Sequence, residues 1–349
     1  SDGRDVAFLP LSLSRNKKSV TINLQNKEGV ELFKSLVKVS DIVWENMRPG
    51  VMDRLGVGYD TLKEVNPGII FVSLSGFGQG DILPGPYMDR PAFDAIGQGL
   101  SGLMFAAGYS EQPPLYNTAV MADTVPSMMG AYAALVALQM RHRTGLGQHV
   151  DVAMYDNMVA LNNLAVNLYT IAGVKIPRGA LATSAPFGPF KARDGYVVLA
   201  AGGEKIWQRF CTAINREDLV GQPGLGNGNE RALSLETVLR PIVEDWMADK
   251  TRQEVCDLML EHGVPAAPAQ DVEDIIACPH LEARQTFWEI EDPALGKVKV
   301  IGNPIKMSAA PPFAPTPPPL VGQHNQEILG SLLGLSAQEI GDLKARGAL

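Results

Sequence analysis

The residue with the strongest case for chemistry is Asp123, in the run Ala122-Asp123-Thr124-Val125-Pro126. A proline there suits the first turn of a helix, and an aspartate or threonine just ahead of it suits the capping of exposed N–H groups. From position alone an N-cap is the commoner role; the alternative is a carboxylate aimed at a ligand from a helix start. The helix dipole favours a carboxylate there by only about 0.3–1 kcal/mol, so nucleophilicity has to come from desolvation and positioning. Asp94, closing Arg90-Pro91-Ala92-Phe93-Asp94, is a second candidate acid, although such a residue taken alone is more often found in a surface turn. Asp151 and Asp156 read as caps or solvated side chains. Gly202-Gly203-Glu204 directly follows an apolar strand and precedes a helix, a place for a flexible loop of close approach. Gly224-Leu225-Gly226-Asn227-Gly228 has no strand feeding it, lacks the context of a dinucleotide fingerprint, and reads as a turn. The five histidines show no metal-ligand spacing, so no metal is expected, and no Gly-x-Ser-x-Gly elbow is present.

Those side chains need elements to hold them, and the chain of 349 residues is long enough for two domains. Its first quarter alternates strand and helix. Ser19–Leu24 has strand-like alternation, apolar residues from Val30 to Val37 recur at helical spacing, Asp41–Glu45 is a short strand, and Met52–Val65 is helical. Asn66-Pro67-Gly68 turns the chain into Ile69–Leu74, apolar enough for a strand covered on both faces. This alternation predicts a parallel sheet whose ligands bind beyond the carboxyl ends of the strands. Those ends carry Glu45-Asn46-Met47-Arg48-Pro49-Gly50 and Ser75-Gly76-Phe77-Gly78. A long helix is expected over Pro126–Arg143 and a second after the short strand Val150–Val152. From Ala185 the texture changes to a smaller α+β unit with a strand over Tyr196–Ala201. Pro311–Pro319 reads as an extended strap, followed by two amphipathic helices.

Bulk composition narrows the function classes. With 30 basic and 38 acidic residues the net charge is −8, which argues against a broad nucleic-acid surface. An anionic ligand would then rely on a local basic patch; Arg15-Asn16-Lys17-Lys18, Arg48, Arg54 and Arg90 are candidates. The three cysteines are too few and too scattered for a disulfide framework, fit a reducing cytoplasm, and are expected to be buried. The most apolar helical stretch, Met128–Met140, falls short of the roughly 20 residues of a membrane span. A soluble cytoplasmic protein with neither membrane nor nucleic-acid partners is expected.

The sequence also resembles the class III CoA-transferase (CaiB/BaiF) family nearly end to end. The segments that carry the resemblance include Ser14–Val20, Glu45–Gly50, Leu55-Gly56-Val57-Gly58-Tyr59, Ser75–Gly78, Arg90–Asp94, Ala122-Asp123-Thr124, Thr144–Gln148, His262-Gly263-Val264-Pro265-Ala266 and Gly322–Leu329. The resemblance implies that Asp123 is the nucleophile, which passes through a mixed anhydride to an aspartyl-CoA thioester and hands CoA to an incoming carboxylic acid, possibly a small dicarboxylate. Asn46, Met47, Arg48 and Arg54 match positions that line CoA, with Arg90, Phe93 and Asp94 near the pantetheine or the reacting centre. Ala201-Gly202-Gly203-Glu204 matches the glycine loop that closes on the intermediate, with fewer glycines than formyl-CoA transferases carry. CoA thioesters and carboxylates are thus the implied substrates. The same fold includes 2-methylacyl-CoA racemases, in which a histidine precedes the acid matching Asp94. Here that position is Phe93, which cannot exchange a proton, and this favours transferase over racemase; Glu204, similar to a racemase glutamate, is a small point for the other side.

The fold implied is a large parallel-sheet, Rossmann-like α/β domain (residues 1–184) interrupted by a smaller α+β domain (185–300), with residues 301–349 returning to the large domain. An interlocked homodimer is expected from the same resemblance. Family members begin with a further strand–helix–strand piece of about 40–50 residues. This sequence starts after it, at Ser1-Asp2-Gly3-Arg4. A longer natural chain and a non-catalytic acyl-CoA-binding homologue are both compatible with that start.

Overall fold

A computed structural model describes residues 8–179, 184–293, 295–311 and 313–349. Its contacts divide the chain into a larger unit, residues 1–178 with 286–349, and a smaller one, 179–285. Residues 286–300, expected with the smaller domain, therefore group with the larger.

The larger unit is built on a three-stranded parallel sheet of β1 (Ile42–Glu45), β2 (Ile70–Ser75) and β3 (Gln148–Ala153), in the order β1-β2-β3. Pairs such as Trp44 with Val72 and Val72 with Val150 fix the register. All six residues of the central β2 are buried, and its alternating side chains serve two cores. On one face Ile70 and Val72 pack against Ala134 and Ala137 of the Met121–Thr144 helix. On the other, Phe71 packs with Val37, Met52, Val57 and Leu62 from the helices that precede β2. Asn66 secures the turn into β2: its Nδ2 donates to Val37 O and Ser40 O, while its Oδ1 accepts from Gly68 N. The chain thus has the mixed α/β architecture with a parallel sheet that the sequence predicts.

Two expectations need correction. Ser19–Leu24 is not a strand in any sheet. Its polar backbone is satisfied by the C-terminal segment instead: His324 N donates to Ser19 O, Thr21 N to Asn325 Oδ1, and Asn23 N to Ala348 O. Alternating β-branched residues specify an extended, half-buried backbone, and a partner other than a strand meets that requirement equally well. The long helix also starts earlier than Pro126. It runs from Met121 to Thr144, 24 residues, long and apolar enough by length and composition to cross a membrane, longer than the Met128–Met140 stretch expected to fall short of that length. Pro126 lies in the second turn of this helix, where it removes the N–H that would reach Ala122 O.

The smaller unit carries the antiparallel sheet of β4 (Phe187–Ala192), β5 (Gly195–Ala200) and β6 (Ala266–Pro268). Helices cover it through Trp207, Phe210, Leu239, Val243 and Met259, all nearly inaccessible. The hairpin of β7 (Phe287–Asp292) and β8 (Gly296–Ile301) belongs to the larger unit, where the Arg15 guanidinium lies 5.2 Å over the Trp288 ring. Lys18 pairs with Glu327 at 3.0 Å, so two cations of the expected basic patch are engaged within the fold.

Candidate active site

Asp123 sits in the first turn of the Met121–Thr144 helix, not at its N-cap. The N-cap is Val120, held at φ 46°, ψ 48°, a left-handed conformation that a β-branched residue adopts only when its surroundings impose it. Val120 has no side chain able to cap the helix, and Asp94 takes that role from across the fold. Its Oδ1 accepts from Ala122 N at 2.7 Å. Its Oδ2 accepts from Tyr116 Oη at 2.7 Å and from Gln98 Nε2 at 2.8 Å.

Asp94 is therefore no surface-turn residue. It is 5 % exposed and opens the Asp94–Leu100 helix, which approaches the Asp123 helix so closely that a Cβ on Gly97 would lie 2.7 Å from Ala122 Cβ. Gln98 also clasps the backbone of Asn117, donating to its carbonyl and accepting from its N–H. That clasp fixes the Tyr116 hydroxyl against Asp94. Tyr116 and Gln98 were not singled out from the sequence, because no periodicity marks the Pro113-Pro114-Leu115-Tyr116-Asn117 loop and the pairing spans 22 residues.

This cradle sets the electrostatics of Asp123. The side chain is exposed in the single chain, yet partial loss of water, followed by the Asp94 charge, pushes its carboxyl above the usual range. A carboxylate made more basic while remaining accessible is a better nucleophile. The Tyr116 hydroxyl is also raised, first by its hydrogen bond to Asp94 and lastly by the charge of Asp123, which places it in the same electrostatic neighbourhood.

The expected CoA-lining residues follow β1 and spread over separate hollows. Asn46, Met47 and Arg48 are exposed, and Met47 N donates to Glu45 Oε2 at 2.6 Å. Arg48 lines a cavity of about 330 Å³ with Glu45, Tyr59, Ser73, Asp81 and His149, at the carboxyl end of β1. In its wall His149 bridges Asp81 and Ser73, each at 2.9 Å. Arg54 lies in a different hollow with Asn26 and Lys27. Arg90, stacked 3.7 Å from the Tyr87 ring centroid, borders a third with Phe77 and Ile96. Phe93, 76 % exposed, precedes Asp94 at the helix N-cap position.

Asp151, expected as a cap or a solvated side chain, lies half-buried on β3; its Oδ2 accepts from Gln79 N at 2.9 Å and ties down the loop after β2. Burial pushes its carboxyl up.

In the smaller unit, Gly202 and Gly203 link β5 to the Glu204–Ala213 helix. A Cβ on Gly202 would lie 2.2 Å from Ser184 Oγ, whereas one on Gly203 would meet open space. Arg231, fully buried, makes hydrogen bonds to both Glu204 carboxylate oxygens and to the carbonyls of Gly202, Ala185 and Leu225. That ion pair holds the Glu204 carboxyl below its ordinary range. Burial pushes the Cys211 thiol up to about 12, too high for a nucleophile at neutral pH. Among the described residues no cluster of metal-ligating side chains is found.

An α/β fold with a crowded, accessible helix-start aspartate fits an acyl-transfer enzyme, and comparison with known proteins defines the family. Residues 2–325 match CoA-transferase family III, and the chain belongs to that family, whose substrates are CoA thioesters. It is 36 % identical over 335 residues to the succinyl-CoA:mesaconate CoA-transferase of Haloarcula hispanica, covering 94 % of this chain and 83 % of that one. It is 33 % identical over 342 residues to the succinyl-CoA–L-malate CoA-transferase beta subunit of Chloroflexus aurantiacus, covering 96 % and 83 %. A CaiB/BaiF family protein from Brucella suis has a similar structure, with a TM-score of 0.81, 28 % identity, and coverage of 95 % and 86 %.

Proposed function

We propose that this enzyme transfers CoA from an acyl-CoA donor to a small dicarboxylic acid, with Asp123 as the covalent carrier. The observation that carries the reading is the cradle itself: Asp94 caps the helix start through Ala122 N, leaving the Asp123 carboxylate accessible, partly desolvated and more basic than usual. The relatives described above are named for succinyl-CoA, malate and mesaconate, which supports dicarboxylates as the substrate class.

In the first half-reaction a carboxylate oxygen of Asp123 attacks the thioester carbonyl. The C–S bond breaks, giving a mixed anhydride and the CoA thiolate. The thiolate then attacks the aspartyl carbonyl, releasing the donor acid and leaving an aspartyl-CoA thioester. The acceptor carboxylate repeats these steps in reverse and regenerates Asp123. A carboxylate suits both directions, because as nucleophile and leaving group it matches the acids it exchanges. Asn46, Met47, Arg48, Arg54, Arg90 and Phe93 enter the proposal as CoA contacts, Asp94 as the group that positions Asp123, and Gly202, Gly203 and Glu204 as the loop taking part in catalysis.

Racemisation needs two acid–base groups about the α-carbon. Phe93 supplies none, and Glu204 is bound at both oxygens by Arg231. A homodimer, interlocked as in the family resemblance, also belongs to the proposal. Support comes from Met128, Tyr132 and Leu135 of the Asp123 helix, each at least 61 % exposed in the single chain.

The test is a transfer assay with succinyl-CoA and a panel of dicarboxylate acceptors, run on wild type and Asp123→Asn. New acyl-CoA formed by wild type and abolished by the substitution supports the reading. Transfer that survives in Asp123→Asn, or α-proton exchange in deuterated water without transfer, refutes it.

A further inference from the structure

The smaller unit carries a hollow of about 440 Å³ lined by Lys205, Gln208, Arg209, Thr212 and His262. No carboxylate lines it, although the chain as a whole has a net charge of −8. The first four of these side chains recur at helical spacing along the exposed face of the Glu204–Ala213 helix, whose other face buries Trp207, Phe210 and Cys211. The packed core thus holds the helix in place beneath the hollow. His262 is the C-cap of the Arg252–Glu261 helix, and its Nδ1 donates to Leu258 O at 3.0 Å. That bond leaves Nε2 as the ring nitrogen for a ligand. Gly263 follows in the left-handed region, at φ 66°, and a Cβ there would lie 3.1 Å from Arg209 Nη1. The Arg209 guanidinium therefore lies against the His262-Gly263 turn.

The cations of the hollow say what it holds. Elsewhere in this unit Arg216, Arg231, Arg240 and Arg252 each have a carboxylate partner at 2.7 to 2.9 Å. Lys205 and Arg209 have none among the described residues. Lys205 also stands in the first turn of its helix, where the dipole disfavours a cation. An anion in the hollow relieves both. Arg209 offers a fork of N–H donors, Lys205 a point charge, and Gln208 and Thr212 neutral donors. His262 Nε2 accepts when the ring is neutral and donates when it is charged. A terminal phosphate group answers both states, because its oxygens accept and its singly protonated form carries an O–H, whereas an ionised carboxylate only accepts. We propose that this hollow is a binding site for a terminal phosphate group, held chiefly by Arg209 and Lys205. Lys205 directly follows Gly202-Gly203-Glu204, so the phosphate is held beside that loop.

The experiment is calorimetric titration of the full chain with inorganic phosphate, CoA and dephospho-CoA, which lacks the 3′-phosphate. Wild type is compared with Arg209→Gln, Lys205→Gln and Lys191→Gln; the last removes the same charge from the same unit at a residue outside the hollow. All three side chains are exposed, so each variant is expected to fold. Arg209→Gln should weaken inorganic phosphate by about ten- to a hundredfold, the scale of losing charge-assisted hydrogen bonds. Lys205→Gln should weaken it by about tenfold, and Lys191→Gln should leave it unchanged. The CoA pair then tells the source of the group. A matching loss for CoA but not for dephospho-CoA assigns the hollow to the 3′-phosphate of CoA, and unaltered CoA affinity assigns it to free phosphate. Three outcomes overturn the proposal: no binding of inorganic phosphate by wild type, affinity unaltered in both hollow variants, or an equal loss in Lys191→Gln. Binding is read without turnover, so the result stands apart from whether Asp123 carries CoA.

Discussion

At the scale of the residue, the proposed chemistry rests on two aspartates with opposite environments. Asp94 is nearly inaccessible and bound by three donors; Asp123 is exposed and has its carboxyl raised, first by desolvation and then by Asp94. A raised folded-state value means that ionised Asp123 lowers stability. The cost is absent below the unfolded-state value, about pH 4, and grows as pH rises through the folded-state value. Asp123→Asn is accordingly expected to unfold at the same or a higher temperature than wild type at pH 7, with the gap closing as pH falls toward 4; scanning calorimetry at several pH values checks this. Tyr116→Phe removes one donor from Asp94 and leaves the ring in place. We expect kcat to fall by about tenfold, the worth of one hydrogen bond to a charged group, with KM for the acyl-CoA little changed.

At the scale of the element, two close approaches hold these residues in place. Gly97 lets one helix start lie against another, and its replacement by valine would drive a side chain into Ala122; overpacking of this kind typically costs about 1–3 kcal/mol, and displacing Asp123 should lower transfer activity beyond what the stability loss explains. Arg231 is the hub of the smaller unit. Arg231→Met strands the carbonyls of Gly202, Ala185 and Leu225 and frees Glu204, for an expected loss of about 3 kcal/mol or more, read by thermal unfolding. The elements themselves were largely legible. β2 declared itself as a continuous apolar run, and the Gly202 loop as glycines after a strand. Asp123 stood out because its helix start and its family context agree. What the sequence concealed depends on contacts between distant segments. Asp94 becomes a cap only when a second helix brings Ala122 N to it, Val120 gives no sign of a left-handed backbone, and the Ser19–Leu24 backbone finds its partners some 300 residues away.

At the scale of the whole molecule, the larger unit holds both the parallel sheet and the Asp123 cradle, and the smaller unit holds the Gly202–Glu204 loop. The exposed apolar side chains of the Asp123 helix leave much hydrophobic surface on a single chain; such surface marks an interface more often than free solvent contact. Light scattering after size exclusion is expected to give the mass of a dimer at micromolar protein, and a stable monomer would count against the interlocked arrangement. The dimer prediction belongs at this scale because none of the individual hydrogen bonds requires it.

Whether Asp123 carries CoA is tested most directly by mass spectrometry of the protein after rapid quench with succinyl-CoA and proteolysis. The predicted result is a CoA adduct on the peptide that contains Asp123, appearing within the first turnover, discharged by added dicarboxylic acid, and missing in Asp123→Asn. A protein that transfers CoA without that adduct, or that forms it on another residue, would contradict the central claim.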